Sequence, residues 1–153
     1  MTDRLNFATA APHAFRAMRA LQDYVNGTGL EPLLLELVKL RASYMNGCAY
    51  CVDMHSKDAR ALGETEQRIY AVPVWRETPF FTPRERSALA WTEAVTAIAG
   101  GGASDALYAE AREHFDDREL VELTMAIIAI NGWNRLAIPF HSPVGSYQPA
   151  AHH

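Results

Sequence analysis

Apolar residues recur at steps of three and four along most of this chain, and alternating period-2 runs are almost absent. That pattern predicts helix after helix and no sheet. From Pro12 to about Val25, the residues Phe15, Met18, Leu21 and Tyr24 share a helical face, and Asn26-Gly27-Thr28-Gly29 breaks the run. A second helix is expected from Glu31-Pro32, because proline suits a first turn where its missing N–H has no partner. Leu33, Leu34, Leu37, Leu40 and Tyr44 follow at helical spacing until Asn46-Gly47. A third helix is expected from Cys48 to Leu62, with Gly63 in the stop position. A short one covers Thr65 to Val72, ahead of Pro73.

Val74 to Phe81, marked by Pro73 and Pro79, reads as a loop. Thr82-Pro83-Arg84-Glu85 then offers a capping Thr, a first-turn Pro and a third-position Glu. The helix it starts carries Leu89, Trp91 and Val95 and is expected to end at Gly100-Gly101-Gly102. Ser104 can cap another through Phe115. The last helix, about Asp117 to Leu136, has apolar residues over most of its circumference, which implies burial on all sides. In a chain this small, part of that cover is expected from another subunit. After Pro139 periodicity ends. The fold class is therefore all-α, a bundle of about six to seven helices, read as one domain over residues 1–153.

Composition changes this picture little. The chain is 49% hydrophobic and 21% charged, as folded domains are. A net charge of -4, with no Lys/Arg run longer than two, argues against a nucleic-acid partner. No apolar run is long enough to span a bilayer. Met1 to Ala20 carries charges without a continuous apolar stretch, so no leader is expected and the default address is the cytoplasm. His13, His114 and His141 read as surface or capping residues, and the terminal His152 and His153 as disordered.

The chemistry gathers around two cysteines. Cys48 and Cys51 would close only a tiny loop, too small to staple a fold, so they read as redox or metal chemistry first. On a helix, Cys48, Cys51 and His55 fall within an arc of about 60°. Cys48 lies at the expected helix start, where free N–H groups favour a thiolate. His55, one turn past Cys51, can take a thiol proton. A thiol with pKa about 8.5 is only roughly 3% ionised at pH 7, so such help matters. Glu36 lies about 15 Å before the Asn46-Gly47 break and His55 about 12 Å after it. If the break is a true reversal, carboxylate and imidazole end level and can relay protons. Buried filler cysteines and a zinc site with His55 and Glu36 are the alternatives, and the latter suffers because three ligands on one helix face rarely close a tetrahedron. Glu36 could instead be an exposed residue paired with Lys39. Tyr44 and Tyr50 can shape a pocket or simply pack. Asn134 and Arg135 read as structural.

Glu36, the Cys48-Ala-Tyr-Cys51 pair and His55, with Ile130-Asn131-Gly-Trp133-Asn134-Arg135 further on, closely resemble the AhpD-like branch of the carboxymuconolactone decarboxylase superfamily. The resemblance implies an all-α, AhpD-like helical subunit that forms dimers, trimers or hexamers. It implies alkylhydroperoxidase activity without metal, flavin or other cofactor. By that likeness Cys51 meets an organic hydroperoxide, Cys48 resolves it as a redox disulfide, Glu36 and His55 relay protons, and an external dithiol or thiol-redox protein is the reductant. Helix-end reasoning favours Cys48 as the more acidic thiol; the histidine and the resemblance favour Cys51. A decarboxylase-like lyase and a non-enzymatic redox-sensing subunit are the rival functions.

Overall fold

Helices account for nearly all the regular structure of the chain, which a computed structural model describes over residues 3–151; His152 and His153 fall outside that range. Among the described residues there are eight α-helices and no strand. Helix α1, Phe7–Ala10, is too short to leave a periodic signal, and makes the count one more than expected. It is started by Asn6, whose side chain takes the N–H groups of Ala8 and Thr9. Helix α2 is Pro12–Asn26, α3 Pro32–Asn46, α4 Ala49–Ala61 and α5 Glu66–Ala71. Helix α6 is Pro83–Thr96, α7 Asp105–His114 and α8 Asp117–Ala137. Capping boxes open two of these, at Thr82 with Glu85 and at Asp116 with Glu119.

Two boundaries differ from expectation. Val74 to Phe81 is not all loop, because a 3-10 segment runs over Val72–Glu77. Pro73 is tolerated in its first turn, and Trp75 pulls the segment inward by burying its ring and donating Nε1–H to Glu93 Oε1 at 2.8 Å. Helix α6 stops at Thr96 rather than at the triple glycine, and a single 3-10 turn fills Ile98–Gly100.

Helix α3 lies at the centre, packed against α4, α6 and α8. One apolar cluster joins its Leu34, Leu35 and Val38 to Leu123 and Ile127 of α8. A second joins Leu37 and Leu40 to Val72, Trp75 and Leu89. A small third cluster sets Cys48 and Cys51 beside Ala42, Ile130 and Ala137. Because α3 is enclosed on every side, polar residues it carries become buried whatever their chemistry, and this is what makes a site of it. Helix α8 is not wholly covered by its own chain. Within this chain Val121 and Ile128 stay 60% and 47% exposed. No helix among the described residues is long and apolar enough to cross a membrane.

The two ends of the chain meet near α4. Arg4 donates to the carbonyl of Pro139 at 2.6 Å. Lys57 of α4 holds the tail through the carbonyls of Gly145 and Tyr147, at 3.2 and 3.0 Å.

Candidate active site

The turn at Asn46-Gly47 is a true reversal. Gly47 takes the left-handed conformation, φ 70°, and the N–H of Cys48 returns to the carbonyl of Ser43 at 2.9 Å. Asn46 pins the turn to α8 by donating Nδ2–H to Asn131 and Asn134, both at 2.9 Å. Asn134 in turn donates to the hydroxyl of Ser43 at 3.1 Å and is fully buried. Arg135 donates to Asn131 at 2.8 Å. These two C-terminal residues therefore do structural work.

Cys48 is the N-cap of α4 rather than its first helical residue, and its sulfur accepts the N–H of Cys51 at 3.3 Å. The two residues are joined in a disulfide, with Cα atoms 5.3 Å apart. Both are buried.

The α3–α4 hairpin brings Glu36 and His55 together. Oε2 of Glu36 lies 3.0 Å from Nδ1 of His55, and both side chains are buried. Glu36 is thus not an exposed surface residue. Lys39, one turn on, does pair with it, but inside the protein, donating Nζ–H to Oε1 at 2.8 Å. Burial alone would push the Glu36 carboxyl up; the hydrogen bond from His55 and the nearby charges of His55 and Lys39 outweigh it and hold the carboxyl below its ordinary range. An ionised Glu36 can only accept, so Nδ1 of His55 is the donor in this pair, which leaves Nε2 as the nitrogen that can exchange a proton. A second carboxylate, Oδ2 of Asp58, stands 3.7 Å from the same Nδ1.

A cavity of about 1010 Å3 opens against this group. Cys51, His55, Glu36 and Tyr50 line it. Cys48 is not among its lining residues. Tyr44, expected as a pocket candidate with Tyr50, packs instead against the apolar cluster of Leu37 and Leu40. Phe7, Phe15, Met54, Trp133 and Phe140 add apolar side chains to the lining, beside the polar Arg4, Arg19 and Gln22. Phe15 and Trp133 meet edge to face at 5.9 Å, and Trp133 is steadied by its Nε1–H bond to Gln22 at 3.1 Å. His141, read from sequence as a surface residue, also lines the cavity. So does Tyr147, whose hydroxyl donates to Asp58 Oδ1 at 2.6 Å. Asp58 could have been noticed one turn beyond His55, just as Lys39 stands one turn beyond Glu36. Tyr147 left no signal, since the tail has no periodicity.

Glu36, His55 and Asp58 could each offer an atom to a metal ion, all within 4.8 Å of one another. The Lys39 ammonium already supplies positive charge to Glu36, and the disulfide leaves neither sulfur as a thiolate ligand. The donor set therefore fits proton transfer better than cation binding.

Residues 12–94 match the carboxymuconolactone decarboxylase family. A protein of Agrobacterium tumefaciens, of unknown function and provisionally described as the antioxidant-defence protein AhpD, has the same fold, with TM-score 0.90, 49% identity, and 98% of this chain and 100% of that one covered. The uncharacterized protein YdfG of Bacillus subtilis is 41% identical over 138 residues, which are 90% of this chain and 94% of that protein. A peroxidase-related protein of Ralstonia eutropha with an AhpD core shares the fold at TM-score 0.80 and 23% identity, over 91% of this chain and 74% of its own. This chain belongs to the carboxymuconolactone decarboxylase family, in its AhpD-like branch.

Proposed function

We propose that this protein is a cysteine-dependent reductase of organic hydroperoxides. The observation that carries the reading is the placement of Cys51 on a cavity wall beside a buried imidazole–carboxylate pair, His55 and Glu36. In the dithiol state, His55 takes the proton of the Cys51 thiol, with Glu36 stabilising the imidazolium. The thiolate attacks the distal peroxide oxygen, the O–O bond breaks, and the imidazolium returns its proton to the alkoxide, which leaves as an alcohol. Cys51 is now a sulfenic acid. The Cys48 thiol gives up its proton and attacks the Cys51 sulfur, so that the disulfide forms and hydroxide leaves as water. An external dithiol restores both thiols and is itself oxidised. The steps balance as one hydroperoxide and two thiols giving one alcohol, one water and one disulfide, and none calls on a metal or flavin.

The apolar side chains of the cavity lining suit an organic rather than an inorganic peroxide. Fold alone does not choose the reaction. The debrominase Bmp8 shares it at TM-score 0.80 and 18% identity, over 90% of this chain and 74% of its own, and has been seen with 2,3,4-tribromopyrrole. The cysteine pair beside the His55–Glu36 pair supports the peroxide reading. A homo-oligomer acting as one domain per subunit in the cytoplasm completes the reading.

The test is direct. Reduced protein mixed with cumene hydroperoxide should consume peroxide and lose two thiols per subunit. A single stoichiometric loss of thiols, with no turnover of peroxide when an external dithiol is supplied, would point to a redox-sensing subunit instead. Peroxide consumption that survives alkylation of both cysteines would overturn the mechanism.

A further inference from the structure

The tail beyond α8 is mostly exposed, yet Tyr147 is turned in between exposed neighbours. Three bonds account for this. Lys57, itself tied to Asp53 at 3.0 Å, donates to the carbonyls of Gly145 and Tyr147. The Tyr147 hydroxyl then reaches Oδ1 of Asp58. The other oxygen of Asp58 is the one that faces Nδ1 of His55. Tail, α4 and imidazole are thus linked in a chain: Lys57 holds the backbone, the phenol holds Asp58, and Asp58 adds a second negative charge to the ring that Glu36 already serves.

We propose that Tyr147 and Asp58 are positioning residues of the thiol site, and that the tail is a strap which brings the phenol in to regulate how much negative charge the His55 ring meets. The hydrogen bond from Tyr147 draws on the charge of Asp58 and turns one of its oxygens away from the ring. Burial, with the Asp58 carboxylate beside it, pushes the Tyr147 phenol well up, so it stays a donor at any working pH. The other charged or titratable groups facing the ring are Glu36 and Lys39 on α3, and Tyr50 on α4. His141 of the tail lines the cavity too, as do Asp3, Arg4 and Arg19 across it. All of these stay unchanged in the variants below.

The proposal rests on His55 and Glu36 acting on the thiol, not on the substrate being a peroxide. It is tested on the oxidised protein by following the His55 ring protons by NMR against pH, with the signal assigned through His55→Gln. Asp58→Asn removes a negative charge and should move the titration midpoint down, by about one pH unit. Tyr147→Phe leaves the full Asp58 charge facing the ring and should move it up. Shifts of opposite sign are the expected result. Shifts of the same sign, or no shift in Tyr147→Phe, would overturn the proposal. If Asp58→Asn does not fold, Tyr147→Phe still decides, because it alters only a hydroxyl on the tail. Peroxide consumption measured in parallel separates the two readings: midpoints that move as stated in a parent inert to peroxide would leave the strap standing and remove the reductase.

Discussion

Nδ1 of His55 and Oε2 of Glu36 lie 3.0 Å apart across the α3–α4 hairpin, with Lys39 on the other oxygen of the same carboxylate. Glu36 therefore holds two cationic or donor groups inside the protein. Glu36→Gln should keep the fold and lower peroxide turnover by about 100-fold, since an amide cannot stabilise the imidazolium. Glu36→Ala should do more damage, leaving a buried ammonium without a partner and costing about 3–5 kcal/mol in urea unfolding. Turnover unchanged in Glu36→Gln would remove the carboxylate from the relay.

The same carboxylate makes stability depend on acid. Its pKa is lower in the folded protein than in the unfolded chain, so the unfolded state binds protons first as pH falls. Its stabilising contribution is complete above the ordinary carboxylate range and is lost as pH drops through the depressed folded value. Glu93 adds to this. Burial opposes its ionisation, and bonds from Arg76, Trp75 and Arg41 overcome that. Urea midpoints should fall between pH 7 and pH 3, and the fall should be shallower in Glu36→Gln than in the parent.

The two cysteines should fail differently. Cys51→Ser should abolish peroxide consumption. Cys48→Ser should still react once, halting at a sulfenic acid that dimedone traps and mass spectrometry locates on residue 51. A trapped adduct at Cys48 in the Cys51→Ser protein would reverse the assignment.

Gly47 should be sensitive to any side chain. At φ 70° an L-residue is strained, although a Cβ placed there meets nothing within 4 Å. Gly47→Ala should therefore cost about 1–2 kcal/mol through backbone conformation alone, visible as a lowered Tm. A cost near zero would mean that the hairpin tolerates another turn geometry.

What could be read from sequence follows the range of the interactions involved. Local chemistry announced itself: Thr82 with Glu85 marked a helix start, Gly47 marked a reversal, and the i, i+3, i+7 spacing of Cys48, Cys51 and His55 marked a shared face. The pairing of Glu36 with His55 could be computed from helix rise because only one turn separates their helices. Interactions closed by tertiary packing left no such trace. Trp75 makes a 3-10 turn of an apparent loop through a bond to Glu93. Tyr147 meets Asp58 across 89 positions. Tyr44 follows the apolar spacing of Leu37 and Leu40 and packs with them in the core, although its chemistry also suited a pocket. Burial of Glu36 and Lys39 follows from the enclosure of α3 on all sides, which no single helix pattern contains.

Only one of the two cysteines borders the cavity, and that geometry bears on kinetics as well as chemistry. In the proposed reaction, oxidant and reductant would reach the same atom through the same doorway, so neither could be bound productively while the other is there. The enzyme would work by strict alternation, a double-displacement scheme with parallel lines in a reciprocal plot, and an excess of either reactant would slow the cycle by occupying the form meant for the other.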